Sequence, residues 1–430
     1  MTASLTRVLR SERLFTRVLT ADFISKTGDG AHELAFVLLA LALTQGDLQQ
    51  VGWIYFLRFL PYLVAGPLGG RLADVANARQ VMLGCDLARA TITLALALAV
   101  YLESLAPWGL ALAGCAMTTF RTLFQPAFQA TVPRLVDGGH LVAANGLTQI
   151  SWEVGAAVGP ALAGALLWVG SVTWVMAFDA LTYLVACGLL YRVPQSVRAR
   201  FAPISASSRA RGGGDVTGWW HRLVRMCGAW SRACREISRS PPLFAAIVMS
   251  SVCILFVGAA LRVMIPARAI EVGGTQGAAA VVASVLAGGT IAGAFAYTRR
   301  PRRMSAARLL GYWALYGGCL SMLPMLPGVP WMLLIAFGMG IAGACVDVVL
   351  ATLIQRNSPS DRIGMNFGVF STLANTGEAF SGVLAGGLVS MGGLSGGLVA
   401  NGLLVVAAAG MGVWLVARRR AENPEVIDAR

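Results

Sequence analysis

The sequence predicts an all-α polytopic membrane protein with twelve transmembrane helices in two pseudo-symmetric six-helix halves. Three observations predict it. Of the 430 residues, 57% are hydrophobic and only 13% are charged, which is more apolar sequence than a water-soluble core needs. Apolar runs of about 20 residues, the length that crosses a hydrocarbon layer of about 30 Å, recur to the end of the chain. Of the 34 cationic residues, 28 lie in the two tails and in every second connection.

The net charge of +14 would suit nucleic acid if it lay on one soluble surface. Its placement points to an anionic cytoplasmic leaflet instead. Arg7, Arg10, Arg13 and Arg17 precede the first run, Arg71, Arg79, Arg134, Arg356 and Arg362 mark alternate turns, and Arg418, Arg419 and Arg420 follow the last. This asymmetry puts both termini in the cytoplasm of a bacterial inner membrane protein. No nucleic-acid partner, cofactor, metal or disulfide is expected, and a monomer is the simplest state. The eight cysteines have no ligand spacing and fall mostly inside apolar runs.

Taken in order, the runs are 19–44, 51–73, 80–102, 107–128, 141–168, 172–191, 243–268, 276–298, 306–325, 329–352, 363–391 and 394–417. The first continues through Asp22, Lys26 and Asp29, so it does not read as a cleavable signal. Residues 1–191 form the N-terminal half, 192–242 a cytoplasmic linker, 243–418 the C-terminal half and 419–430 a tail. Within the linker, Trp219, Trp220, Leu223, Met226 and Trp230 recur at helical steps opposite Arg222, Arg225, Arg232 and Arg235. That predicts an interfacial amphipathic helix over about 216–239.

The fifth run, Asn145–Gly164, spends its interior on Gly146, Gly155, Gly159, Pro160 and Gly164. Glycine costs about 1 kcal/mol and proline about 3 kcal/mol in a helix interior in water. In lipid, small residues instead let a neighbouring helix approach closely. An internal repeat supports two related halves: at an offset of 222, Val132-Pro133-Arg134 meets Ile354-Gln355-Arg356 and Ala161–Gly164 meets Val383–Gly386.

The connection Gly70-Arg71-Leu72-Ala73-Asp74-Val75-Ala76-Asn77-Ala78-Arg79 resembles the signature loop of the major facilitator superfamily, although Val75 and Ala78 stand where basic residues are usual. The fifth-run glycines resemble the motif of that superfamily's proton antiporters, with Ala163 in place of one glycine. Together with Ser25, Gly28-Asp29, Pro133-Arg134-Leu135 and Ala144-Asn145, the first half is similar to the bacterial branch of enterobactin-type and macrolide exporters. The resemblance implies alternating access, with Gly70, Asp74 and Arg79 as a cytoplasmic conformational latch.

Ionisable residues inside the runs locate the expected chemistry, since each is costly in lipid and faces a cavity or a partner. Asp22, Lys26, Asp29 and Glu33 follow one another at steps of four, three and four, on one helix face. Lys26 can pair with Asp22 or with Asp29. Arg121 resembles the basic residue of the antiporters' fourth run and would modulate Asp29 or Glu153. Proton coupling is therefore assigned to Asp29, Glu33, Arg121 and Glu153, and the substrate cavity to Lys26, Trp152, Asp347 and Glu378. Arg58, Arg89 and Asp86 read as structural residues near run ends. The expected function is efflux of a small lipophilic or amphiphilic compound, such as an antibiotic or siderophore, in exchange for protons. A proton-coupled importer or facilitator of a nutrient is the alternative. An enzyme is not expected, because His32, His140 and His221 form no catalytic or metal-binding spacing and no phosphate-cradling loop is present.

Overall fold

The computed structural model describes residues 5–45, 48–193, 200–201, 219–273, 276–299, 304–325 and 327–422, and its regular structure is entirely helical. Seven of the described helices are long and apolar enough to cross a membrane: Ala78–Tyr101, Gly138–Trp168, Val172–Tyr191, Pro241–Gly258, Val281–Thr298, Val329–Asn357 and Gly386–Arg419. The chain forms two compact units. One comprises Thr6–Cys227 with Ser360–Gly368, and the other Met1–Leu5, Gly228–Pro359 and Val369–Arg430.

In the first unit, α1 (Leu5–Ser11) leads into α2 (Arg13–Leu43), a helix whose charged face departs from a plain apolar span. The second expected run is split. α3 (Leu48–Phe59) ends one residue before Pro61, which opens α4 (Pro61–Val75). Proline offers no amide donor, so the ladder is interrupted there although Leu60 keeps helical angles. α5 (Ala78–Tyr101), α6 (Pro107–Leu135), a short 3₁₀ turn (Gly138–His140), α7 (Leu141–Val169) and α8 (Val172–Tyr191) follow. The side chain of Asn77 accepts from the amides of Arg79 and Gln80 and so caps α5.

α2 lies between α7 and α8, α8 runs along α5, and α6 packs against α3, α4 and α5. The approach of α7 to α2 depends on small residues. A Cβ at Gly159 would meet Thr27 O at 2.6 Å and Ala31 N at 2.7 Å, and one at Gly155 would meet the Lys26 Cβ at 2.9 Å. Ala163, the next residue on this stripe, is fully buried. The packing face therefore steps 155, 159, 163, and Gly164 is not on it: a Cβ there would meet nothing within 4 Å. Gly146 is buried nearer the start of α7, and Pro160 sits inside α7 without ending it.

In the second unit, Pro241–Gly273 is a continuous helical rod with π turns at Ala245–Met249 and Ala260–Met264. Gln276–Arg299 packs along Val329–Asn357, which also receives Ala306–Met322. The last two expected runs form one helical stretch, Ile363–Glu422, broken at Gly393, where φ is 67° and only glycine is unstrained. The linker's helix spans Trp219–Arg239. The basic linker segments 194–199 and 202–218, the side chains of Trp219 and Trp220 and the tail 423–430 lie outside the described residues.

Candidate functional site

The charged face of α2 is the frame of the site. Lys26 and Asp29 pair along the helix at 3.6 Å, and Asp22 also acts on Lys26. Asp22, one turn below, is buried with its Oδ1 lacking a hydrogen-bond partner. Asp29 is shared further: Arg89 Nη1 of α5 lies 3.6 Å from its Oδ1, and the Tyr183 hydroxyl of α8 donates to the same oxygen.

Arg89 therefore belongs to the site, contrary to the expectation of a structural residue near a run end. It is 1% exposed, binds Asp86 through Nη2, and stacks over the rings of Tyr183 and Phe124 at 4.5 and 4.9 Å. A guanidinium this deep is tolerable because carboxylates and aromatic faces replace its water.

Glu33 is half-exposed and is held by a two-pronged pair from Arg58, at 2.6 and 3.2 Å, while the Arg58 guanidinium covers the Phe36 ring at 4.1 Å. Glu33 and Arg58 join Asp29, His32, Arg89, Arg121 and Tyr183 around a small cleft, partly open at its mouth. Arg121 faces this cleft, with Asp29 and Glu33, and Glu153 is not part of its lining. Glu153 instead accepts from Gln149 Nε2 at 3.0 Å on its own helix. Trp152 is a shared platform for two cations, with Lys26 Nζ 4.5 Å and the Arg121 guanidinium 5.1 Å from its ring centre.

Two further members come from positions the sequence did not single out. His32 Nδ1 lies 3.0 Å from Asp179 Oδ2, and both residues are buried. Asp347 and Glu378 belong to the other unit. Asp347 is exposed on Val329–Asn357, and Glu378 is half-buried with its Cγ 3.1 Å from where a Cβ at Gly258 would stand.

At the C-terminal end of α4, just past the apolar run, Asp74 accepts from the amides of Gly364 and Met365, both at 2.8 Å. These are the free donors of the first turn of Ile363–Glu422, where a carboxylate is favoured by the helix dipole. Burial is the larger influence on this carboxyl and pushes it up to about 7, against the two amides, which favour the charged form. Gly70 makes the approach possible: a Cβ on it would meet Gly364 O at 2.8 Å and Met365 Cα at 2.9 Å. Arg79 does not join this contact. Its Nε and Nη2 donate to the carbonyls of Leu190 and Tyr191 at 2.9 and 2.8 Å, tying the start of α5 to the end of α8. It therefore reads as a clamp within this unit.

For metals, Glu12, Asp137 and His140 bring one ligand atom each within 4.8 Å of one another near the start of α2. His140 Nδ1 is already 2.8 Å from Glu12 Oε1, which makes this a polar clasp between α2 and the 3₁₀ turn.

Comparison with known proteins agrees with this architecture. The enterobactin exporter EntS of Citrobacter koseri is 26% identical over 396 residues, covering 89% of this chain and 87% of that protein. Macrolide efflux protein A of Enterococcus faecalis is 29% identical over 141 residues, 32% of this chain and 44% of its own length. The MFS-type transporter YfiS of Bacillus subtilis is 26% identical over 188 residues, and the match spans 44% of each chain. Among solved structures, a bacterial homologue of the iron transporter ferroportin superposes with a TM-score of 0.67 at 15% identity, covering 95% of this chain and 99% of that one. The proton:xylose symporter XylE does so with a TM-score of 0.68 at 12% identity, covering 94% and 96%. At these identities the structural likeness shows the fold. The Major Facilitator Superfamily model matches residues 21–326, so this chain, a multi-pass membrane protein and a transporter rather than an enzyme, belongs to that superfamily.

Proposed function

We propose that the protein exports a small lipophilic or amphiphilic compound, of the antibiotic or siderophore kind, in exchange for protons by alternating access. It acts as a monomer of twelve spans in a bacterial inner membrane, with two six-span halves and both termini in the cytoplasm. The observation that carries this reading is Asp29, a buried carboxylate shared between Lys26 and Arg89 at 3.6 Å each, at the wall of a cleft. A buried charge persists only while its partners stay in place. A rearrangement that moves either cation leaves the carboxylate under-compensated, which ties the facing state of the cleft to the charge held around it. Arg121, held over the Trp152 ring, adds to the positive field around Asp29.

Similarity to an enterobactin exporter and to a macrolide efflux protein favours efflux of such compounds over nutrient import. Equivalent helix contacts in the two units favour related halves. Gly155 faces Lys26 in one, and Gly377, 222 positions later, faces Ser251 and Leu255 in the other. The test is proton release from reconstituted vesicles on addition of erythromycin or enterobactin. Substrate-dependent alkalinisation or acidification in the antiport sense supports the reading, and co-directional movement of compound and proton would replace it with import.

A further inference from the structure

His32 and Asp179 form a second rung between α2 and α8, one turn from the rung made by Asp29 and Tyr183. His32 follows Asp29 by three residues on α2, and Asp179 precedes Tyr183 by four on α8. His32 lines the cleft, while Asp179 lies behind it at 0% exposure. His32 Nδ1 lies 3.0 Å from Asp179 Oδ2 but off the line of a hydrogen bond, so both ring nitrogens are buried without a hydrogen-bond partner. Thr93 of α5 adds a long hydrogen bond of 3.5 Å to Asp179 Oδ2. Gly28 creates the room, since a Cβ there would meet Asp179 Oδ1 at 2.5 Å.

The electrostatic contrast with Asp29 is the telling feature. Asp29 has two permanent cations within 4 Å. Among the described residues, the only positively chargeable group within 4.0 Å of Asp179 is His32. Arg89, Arg121 and Lys26 are engaged with Asp86, the Trp152 ring and Asp29, and Glu33 is held by Arg58. An ionised Asp179 beside a neutral histidine would be a bare buried charge, which costs several kcal/mol. A single proton on the pair removes that charge.

We propose that His32 and Asp179 are the proton-carrying pair of the exchange reaction, an inference that rests on the proposed proton-coupled export. A proton arrives from the cleft at His32 Nε2, which is buried without a hydrogen-bond partner. A small turn of the ring aligns Nδ1 with Asp179 Oδ2, 3.0 Å away, and the proton on Nδ1 then passes to that oxygen. The histidine ends neutral, protonated on Nε2, and the carboxyl ends neutral. One proton enters and one is stored. Return follows the same atoms in reverse when the cleft faces the other side. Asp29 remains ionised throughout this step and senses the stored charge through Tyr183 and Arg89.

The test uses the full-length protein in lipid vesicles. Infrared titration across roughly pH 5 to 9, the range in which histidine titrates, reads the carbonyl stretch of a protonated carboxylic acid. The wild type is expected to show such a band. Asp179→Asn should abolish it and His32→Gln should displace its midpoint. A folded Asp179→Asn variant that keeps the band overturns the assignment, and if that variant does not fold, an unmoved midpoint in His32→Gln overturns it. In the same vesicles, erythromycin or enterobactin accumulation driven by a pH gradient should fall in His32→Gln to the level without a gradient, while counterflow exchange continues. Gradient-driven accumulation that survives in His32→Gln refutes the pair alone. A wild type that shows no gradient-driven movement of either compound refutes the export reading, and the infrared band then still decides where the proton sits.

Discussion

Arg89 Nη1 lies 3.6 Å from Asp29 Oδ1, joining the middle of α5 to the middle of α2 through a buried guanidinium and a mostly buried carboxylate. Arg89 also holds Asp86, so one guanidinium neutralises two carboxylates. Replacing it by glutamine leaves Asp86 without its cation and Asp29 with Lys26 alone, and the expected loss of stability is about 3–5 kcal/mol, as for other broken buried pairs. Arg89→Lys keeps the charge but not the planar fork and should fall between. Denaturant unfolding in detergent checks the order. Adding Asp29→Asn to Arg89→Gln should recover part of the loss.

Asp29→Asn should insert and fold, because the amide still fits between Lys26 and Tyr183, yet it removes the charge whose compensation changes during transport. Gradient-dependent export should vanish while binding persists. The pairing of intact substrate binding with lost uphill transport in vesicles is the diagnostic result. Uphill transport at the wild-type rate would remove Asp29 from coupling.

The contact of Asp74 with Gly364 and Met365 should weaken as pH rises. Its carboxyl is pushed up to about 7 in the contact, against 3.8 when free, so between these values the closed contact holds a proton that the open one releases. Rising pH therefore favours opening, and the effect is complete above about 7. Arg134, which favours the charged form, and Asp361, which opposes it, are the charged groups acting on this carboxyl. Hydrogen exchange of the peptide spanning 360–368, corrected for intrinsic rate, should accelerate above neutrality in the wild type and lose that dependence in Asp74→Asn.

Gly159→Val and Gly164→Val should behave differently although both sit in the same glycine-rich helix. The first drives a side chain into the α2 backbone, where a Cβ alone would lie 2.6 Å from Thr27 O, and overpacking of this kind costs about 1–3 kcal/mol or more. The second points into open space and should lie within about 0.5 kcal/mol of wild type. Paired melting curves in the same detergent separate them.

Removing the Trp152 ring should loosen two cations together. Trp152→Leu is expected to cost about 0.5–2 kcal/mol per cation relative to Trp152→Phe, which keeps a π face. Lowered transport affinity in the leucine variant alone would place this platform in the working site.

The superfamily was legible because run length, loop charge and the Gly70–Arg79 loop are local signals. The charged face of α2 was legible for the same reason, being one periodic pattern in one helix. What escaped the sequence were relations between helices. Arg89 lies nine residues into its run, about 14 Å deep by helical rise. Asp29 lies ten residues into its own run, about 15 Å by the same rise, which sets the two at one depth. Asp179 and Tyr183 carried a weaker hint, a carboxylate and a phenol one turn apart in an otherwise apolar run. Which glycine of the fifth run meets its neighbour could not be read from spacing alone, because Ala163 serves the interface as well as glycine does. The break at Pro61 was hidden inside a run whose hydropathy is continuous across it.

Gly66, Gly70, Gly364 and Gly368 bring two stretches of bare main chain together, with a Cβ on Gly368 standing 2.6 Å from Gly66 O. No side chain there can stretch, swivel or follow a retreating partner. Dispersion falls away so steeply that a gap of about 0.5–1 Å forfeits a quarter to a half of it. Such a seam behaves like a snap fastener rather than a spring, and partial separation gains nothing that full separation does not.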